Sequence, residues 1–160
     1  EVLLERSAAI FGADAGCVTL LDQAGGELLL IGARGFSDEV RASWARFPLA
    51  TATPLADAAR RGDPIWLASP ADRDREYPHL THEHPTYGAR AWAALPLRLD
   101  QQVIGALGLT FATERAFELD DRTSLMTIAG LGAQAMERAR LSTAERAALN
   151  AADEALAMLD

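Results

Sequence analysis

The chain has 160 residues, 49% of them hydrophobic and 24% charged, with a net charge of −8, the profile of one globular domain long enough to bury a core. Its 15 basic residues are all arginine, and only Arg60 and Arg61 are adjacent, so there is no basic stripe to meet nucleic acid or an anionic membrane. No apolar run approaches the roughly 18 residues of a membrane span, no signal-peptide pattern opens the chain, and the single Cys17 rules out an internal disulfide or a multi-cysteine metal site.

Val2 to Phe11 places Leu3, Leu4, Ala8 and Phe11 near helical spacing, and Gly12 is the expected stop. Ala15 to Leu21 and Glu27 to Ala33 are strand-like and are separated by the turn Asp22-Gln23-Ala24-Gly25-Gly26, which predicts a hairpin. Ser37 is a good N-cap for a helix from Asp38 to about Phe47. Pro48 to Thr53 is expected as loop. Thr53-Pro54 then predicts a capped helix running to about Arg61 and closed by Gly62. A short strand over Pro64 to Leu67 follows. Ala68 to Arg90 holds three prolines, all three histidines and both tyrosines, and is expected as a long loop with one or two helical turns, a pattern often found in functional lids.

Ala91 to Leu99 and Val103 to Phe111 are apolar at nearly every position, joined by Asp100-Gln101-Gln102. A half-solvated strand would alternate with polar residues, so this hairpin belongs in the middle of a sheet covered on both faces. Which alternating set meets which cover is left open. A last helix is expected from about Glu118 to beyond Arg140. From Leu141 onward helix formers dominate, with Leu149, Ala152, Leu156 and Leu159 at three- and four-residue spacing. The earlier stripe of Leu125, Ile128, Leu131 and Ala135 is out of phase with it. Hairpins interleaved with helices predict an α+β fold on an antiparallel sheet.

These segments together resemble a GAF domain, a sensing module of bacterial signalling proteins. The resemblance rests on GADAGCVTLLDQAGGELLLIGARGF, TPLADAARRGDPIWL, ARAWAALPLRLDQQVIGALGLTF and AFELDDRTSLMTIAGLGAQAMERARL, in that order. It covers residues 1–142 and leaves 143–160 as a helical linker. It implies a profilin-like or PAS-like sheet of five to six strands, with the terminal helices on one face and a pocket under the short helices and long loop on the other. The absence of lysine fits a GC-rich genome such as an actinobacterium's. A start at Glu1 rather than methionine reads as a piece of a longer protein, and the single cysteine as cytoplasmic.

The pocket segments carry Trp44, Phe47, Trp66, Tyr77, His79, Tyr87, Arg90 and Trp92, apolar walls with a few polar handles of the kind ligand sites use. Arg90 and Arg98 flank Trp92 and could hold an anionic group. His79, His82 and His84 beside Glu83 are the residues that could take a metal, or haem through His79. A solvated loop is the favoured reading of that cluster. Cys17 has no neighbouring histidine, so the covalent pigment of bilin-binding relatives is not expected. A lone cysteine also cannot turn over the free-methionine sulfoxide reductase chemistry found in the family. Phe117 and Asp121 match half of the cyclic-nucleotide signature, whose lysine is missing. No nucleophile elbow or phosphate loop occurs. No cofactor is required by the sequence.

The expectation is a non-enzymatic sensory module. A small molecule or partner would shift the terminal helices and so an attached histidine kinase, PP2C-type phosphatase or cyclase. A homodimer is expected through Leu3, Leu125, Ile128, Leu131, Ala135, Leu149 and Leu156. The alternative is a ligand-free dimerisation scaffold with its pocket filled by Trp66, Trp92 and leucines.

Overall fold

The computed structural model describes residues 2–80 and 88–159. Strands β1 (Ala15–Leu21), β2 (Glu27–Arg34), β3 (Arg46–Pro48), β4 (Ile65–Leu67), β5 (Ala91–Leu99) and β6 (Gln102–Phe111) form one antiparallel sheet, ordered β3-β2-β1-β6-β5-β4. The helices are α1 (Val2–Phe11), α2 (Asp38–Ser43), α3 (Pro54–Arg61), α4 (Pro70–Glu76) and α5 (Leu119–Ala157). The fold is α+β, with the apolar β5–β6 hairpin inside the sheet as its two-sided hydrophobicity requires.

Side-chain alternation sorts the hairpin into two unlike faces. Ala93, Leu95, Leu97, Leu107 and Leu109 join a core with Leu4, Phe11, Leu125, Ala129 and Ala133, so α1 and α5 cover this side. Ala129 and Ala133 let α5 approach the strand leucines closely. Gly132 is where α1 presses against α5, because Leu3 occupies the space a Cβ would need. On the other face, α3 lays Ala56 and Ala59 against Ala106, flanked by Leu28 and Phe47.

Local signals account for most boundaries. Thr53 Oγ1 accepts the Ala56 N–H at 3.2 Å, Pro54 opens α3, and Gly62 at φ 73° ends it in the left-handed region that suits glycine. The central turn is tighter than expected: Leu99 already pairs with Gln102, and Asp100 takes φ 54°, a conformation Asp tolerates better than most residues. One segment departs from the sequence reading. The helix from Asp38 stops at Ser43 rather than near Phe47, because Phe47 pairs with Leu28 as an edge strand and is buried there. Within Ala68 to Arg90, the helical turns expected there form α4: Ser69 Oγ accepts the Asp72 N–H, and Asp72 Oδ2 accepts the Ala68 N–H at 3.1 Å. His82, His84 and Tyr87 lie outside the described residues.

Helix α5 continues without a break past residue 142, and every described residue after Glu137 is exposed. At 1.5 Å per residue it is about 58 Å long. Among the described residues, no helix is long and apolar enough to cross a membrane.

One backbone contact sets the spacing of the sheet's centre. A Cβ on Gly105 would lie 2.0 Å from the Thr19 carbonyl oxygen, backbone that cannot step aside, while Thr19 Oγ1 donates to the Ala106 carbonyl at 3.1 Å. Gly105→Ala should therefore lower stability by about 3 kcal/mol or prevent folding, measured by urea unfolding. Gly26→Ala, in open space in the first hairpin turn, should leave the midpoint nearly unchanged.

Candidate functional site

The described residues cover the face opposite α1 and α5 only in part. Helix α3 closes it over Ala106, while α2 and α4 stand to either side. Between them lies a cavity of about 640 Å³, within the size range of small-molecule sites. Its floor is built from the short side chains of three adjacent strands: Ala33 on β2, Cys17 on β1 and Gly108 on β6, which are direct cross-strand partners. Trp44, Phe47 and Phe36 wall one end; Trp92, Leu67 and Leu80 wall the other. Trp44 and Phe47 meet edge to face at 5.1 Å between centroids.

Charged groups on the rim carry both signs. Asp14 and Glu39 are acidic, Arg41 and Arg73 basic. The Arg73 guanidinium lies 5.0 Å over the Trp92 ring and pairs with Asp74 at 2.7 Å. Cys17 borders the cavity and is half-buried, yet enough protein surrounds the thiol to push it up to about 12, a hydrogen bond with the Gly108 backbone pulling the other way. A thiol held neutral in this way is a poor nucleophile and a poor metal ligand.

The wall formed by α4 is fastened from below. Tyr77, its C-cap, is buried and donates its hydroxyl to Asp57 Oδ2 on α3 at 2.7 Å. Asp57 is also paired with Arg60, and with Arg61 at 3.6 Å, so the buried carboxylate is satisfied. Burial first, then the hydrogen bond to Asp57, raises the Tyr77 hydroxyl well above the usual phenol range. His79 follows with Nε2 2.6 Å from the Ala52 carbonyl oxygen.

Of the residues expected at a pocket, Trp44, Phe47 and Trp92 line this one. Tyr77 packs behind Trp92 and Leu67. His79 is exposed, and Arg90 is held at the surface by Glu114 at 2.6 Å. Trp66 points to the opposite face, against Phe117 at 5.2 Å and under Arg122, so it fills no part of the cavity. Arg98 donates to the Gly62 carbonyl at 2.7 Å. Among the described residues no three His, Cys, Asp or Glu side chains converge where a metal could sit. The sequence reading did not single out Leu30, Ala33, Leu55, Arg73 or Thr110, which also line the cavity. The signal available for the floor was the contrast between Ala94 or Gly108 and the leucines beside them.

For the terminal helices, Leu125 is fully buried against the sheet and Leu3 is half-buried at Gly132. Ile128 is half-buried. Leu131, Leu149 and Leu156 are 60%, 60% and 64% exposed, and Ala135 is exposed.

A family model described as a GAF domain matches residues 1–137. The chain belongs to the GAF domain family. GAF domains are regulatory modules found in signalling proteins and are generally not catalytic. No curated protein matches the chain. Among solved structures, the GAF domain of a phosphoenolpyruvate-protein phosphotransferase from Coxiella burnetii superposes with TM-score 0.71 at 20% identity, over 89% of this chain and 83% of that one. The second GAF domain of DevS from Mycobacterium smegmatis gives 0.65 at 22%, over 91% and 93%. The GAF domain of the corresponding phosphotransferase from Acinetobacter gives 0.69 at 15%, over 89% and 82%. At these identities the likeness is one of fold.

Two outcomes follow from the site's electrostatics. Cys17 and Tyr77 both have folded-state values above their ordinary ones, so each favours folding while neutral. That contribution is complete below the unfolded values and is lost as pH rises. Stability should hold from pH 7 to 9 and fall toward pH 12, and Cys17→Ala should flatten part of the fall in pH-dependent urea midpoints. Tyr77→Phe should lower stability by about 1–3 kcal/mol, because it strips a hydrogen bond from a buried carboxylate. Thermal melts at pH 7 would check the second.

Proposed function

We propose that this GAF domain binds a small molecule in the cavity between α2, α3 and α4, and signals through α1 and α5. The attached effector would be a histidine kinase, a PP2C-type phosphatase or a cyclase. The observation that carries the reading is the cavity of about 640 Å³ floored by Ala33, Cys17 and Gly108, space that a domain serving only as a scaffold has no reason to keep. Trp44, Phe47 and Trp92 supply its aromatic walls, and Arg73, stacked on Trp92, is a cation on its rim. The domain comprises residues 1–142, with 143–160 as the helical linker.

The output side of the proposal rests on the helices. The exposed Leu131, Leu149 and Leu156 on α5 are suited to a second copy of the chain, giving a cytoplasmic homodimer whose helix packing a ligand would bias. The cavity favours this reading over a ligand-free scaffold, since Trp66 is turned away from it and Trp92 occupies only one wall. An enzymatic reading has no support from Cys17, whose thiol is held neutral.

Native mass spectrometry of freshly purified protein tests both halves. The expected spectrum is a dimer carrying a retained small molecule, or one that takes up a ligand from a metabolite library. Bare monomer at micromolar concentration, with no ligand from any source, would overturn the reading. Leu149→Glu with Leu156→Glu should raise the dimer dissociation constant at least about tenfold while leaving ligand uptake unchanged, since lost apolar burial of one or two kcal/mol suffices for that factor.

A further inference from the structure

We infer that the link between β6 and α5, with Arg115 at its centre, is a clasp that ties the α4 wall of the cavity to the ends of both terminal helices without passing through the sheet. The Arg115 backbone N–H donates to the Ala68 carbonyl at 3.0 Å. The Ala68 N–H donates in turn to Asp72 Oδ2, in the first turn of α4, at 3.1 Å. Ala68 is thus held by α4 through its N–H and by the link through its carbonyl. The Arg115 side chain reaches the terminal helices. One amino group of its guanidinium donates to the carbonyl of Phe11, the last residue of α1. The other amino group and Nε meet the Asp121 carboxylate of α5 at 3.1 and 3.2 Å. A planar guanidinium can hold two acceptors in fixed directions at once, which an ammonium group cannot do.

Both helix ends have a use for this residue. The Phe11 carbonyl is among the last four of α1, which have no partner inside the helix, and Glu118, the N-cap of α5, makes no side-chain capping bond. A cation suits the C-terminal end of α1, and the Asp121 carboxylate suits the first turn of α5. The Arg115–Asp121 pair is partly exposed, so as an isolated ion pair it would contribute little. The aromatic bed beneath it fixes its place: the guanidinium lies 4.9 Å over Phe111, whose ring meets Phe117 edge to face at 5.6 Å. The same link grips the far end of the segment that carries α4. Glu114 pairs with Arg90 at 2.6 Å, and the Arg90 N–H donates to the Phe111 carbonyl at 2.7 Å. Glu114 and Arg115 therefore hold both ends of that segment, Ala68 and Arg90, while Arg115 also holds α1 and α5. A displacement of α4 pulls on Ala68 and reaches both terminal helices through one side chain.

The clasp carries a signal only if the cavity is the ligand site proposed above, but its test needs no ligand, so failure of either leaves the other standing. Amide hydrogen exchange of the intact chain, read by mass spectrometry, compares Asp72→Ala in the parent and in an Arg115 variant. Arg115→Met keeps an apolar stack on Phe111, and Arg115→Lys keeps the charge without the fork; should one fail to fold by its melting curve, the other reports. In the parent, Asp72→Ala should speed exchange in the last turn of α1, Ala8 to Gly12, at least about threefold. In each folded Arg115 variant the same change should add nothing there, while α4 itself loosens equally in both backgrounds. Tyr77→Phe, which frees the other end of α4, should show the same dependence on Arg115. An α1 end that ignores both changes in the parent would overturn the inference. An equal response with and without Arg115, or one matched in β5 and β6, would also overturn it, since the sheet or a general loosening would then be the route.

Discussion

The structure depends on a size contrast between the two faces of one strand pair. β5 and β6 are apolar throughout, but their alternate positions are unequal. Leu95, Leu97, Leu107 and Leu109 point one way and are fully or almost fully buried. Ala94, Ala106 and Gly108 point the other. The strand leucines meet the inner side of α5, where Leu125 fills the core and Ala129 and Ala133 allow close approach. Small strand residues permit two arrangements. Over Ala106 the alanine face of α3 comes down close. Over Gly108, among the described residues, Leu55 reaches in, and cavity lies beside it. The same sequence pattern therefore builds a dense core and an open site on opposite sides of one sheet.

That arrangement explains which devices hold the cavity open. Short floor residues alone would invite collapse, because an apolar void forfeits dispersion contacts along its lining. The opposing constraint is that the flanking elements are fastened to their neighbours rather than to the floor. β3 is locked to β2 through Phe47 opposite Leu28 and through the Arg46–Glu27 pair at 3.0 Å. α4 is locked to α3 through Tyr77 and Asp57. Its N-terminal end is set by the Ser69–Asp72 exchange. Buried polar groups serve here because their geometry is directional, and none of the buried side-chain polar atoms among the described residues lacks a partner.

Much of this was legible in the residues. The two hairpins, the Thr53-Pro54 start and the Gly62 stop are local signals, and each survives into the structure because nothing tertiary opposes it. The strand at Arg46–Pro48 was not legible. Three residues ending in proline carry no period, and only pairing with Leu28 makes them a strand. α4 was legible as one or two helical turns but not in its bounds: Ser69-Pro70 has the same chemistry as Thr53-Pro54, but the surrounding prolines and histidines made the stretch look irregular. Trp66 shows the limit of composition. An aromatic in a short edge strand can face either side, and alternation against Leu67 sends it to Phe117 and Arg122 instead of the cavity. The facing of the central hairpin was readable after all. The side bearing leucines had to be the one that meets long helices, and the side bearing alanine and glycine the one with room.

The thinness of the sheet gives the site its mechanical meaning. Gly108 touches the cavity, and its chain neighbours Leu107 and Leu109 lie in the core that holds Leu125 and Ala129 of α5. Only one backbone separates the two environments. A molecule pressing on Cys17 and Gly108 would act on β1 and β6, whose spacing is set by the close Gly105–Thr19 approach. A shift there would reach α5 through the leucines and α1 through Leu4, whose side chain lies over Gly16 and Gly32 of β1 and β2. Beyond Glu137 α5 is bound to nothing else in the described chain. A long helix held by the sheet along its first half converts a small rotation there into a larger displacement further along. Any coupling between cavity and terminus therefore has a short path through β1, β5 and β6, whose alternate residues face the cavity on one side and the helices on the other.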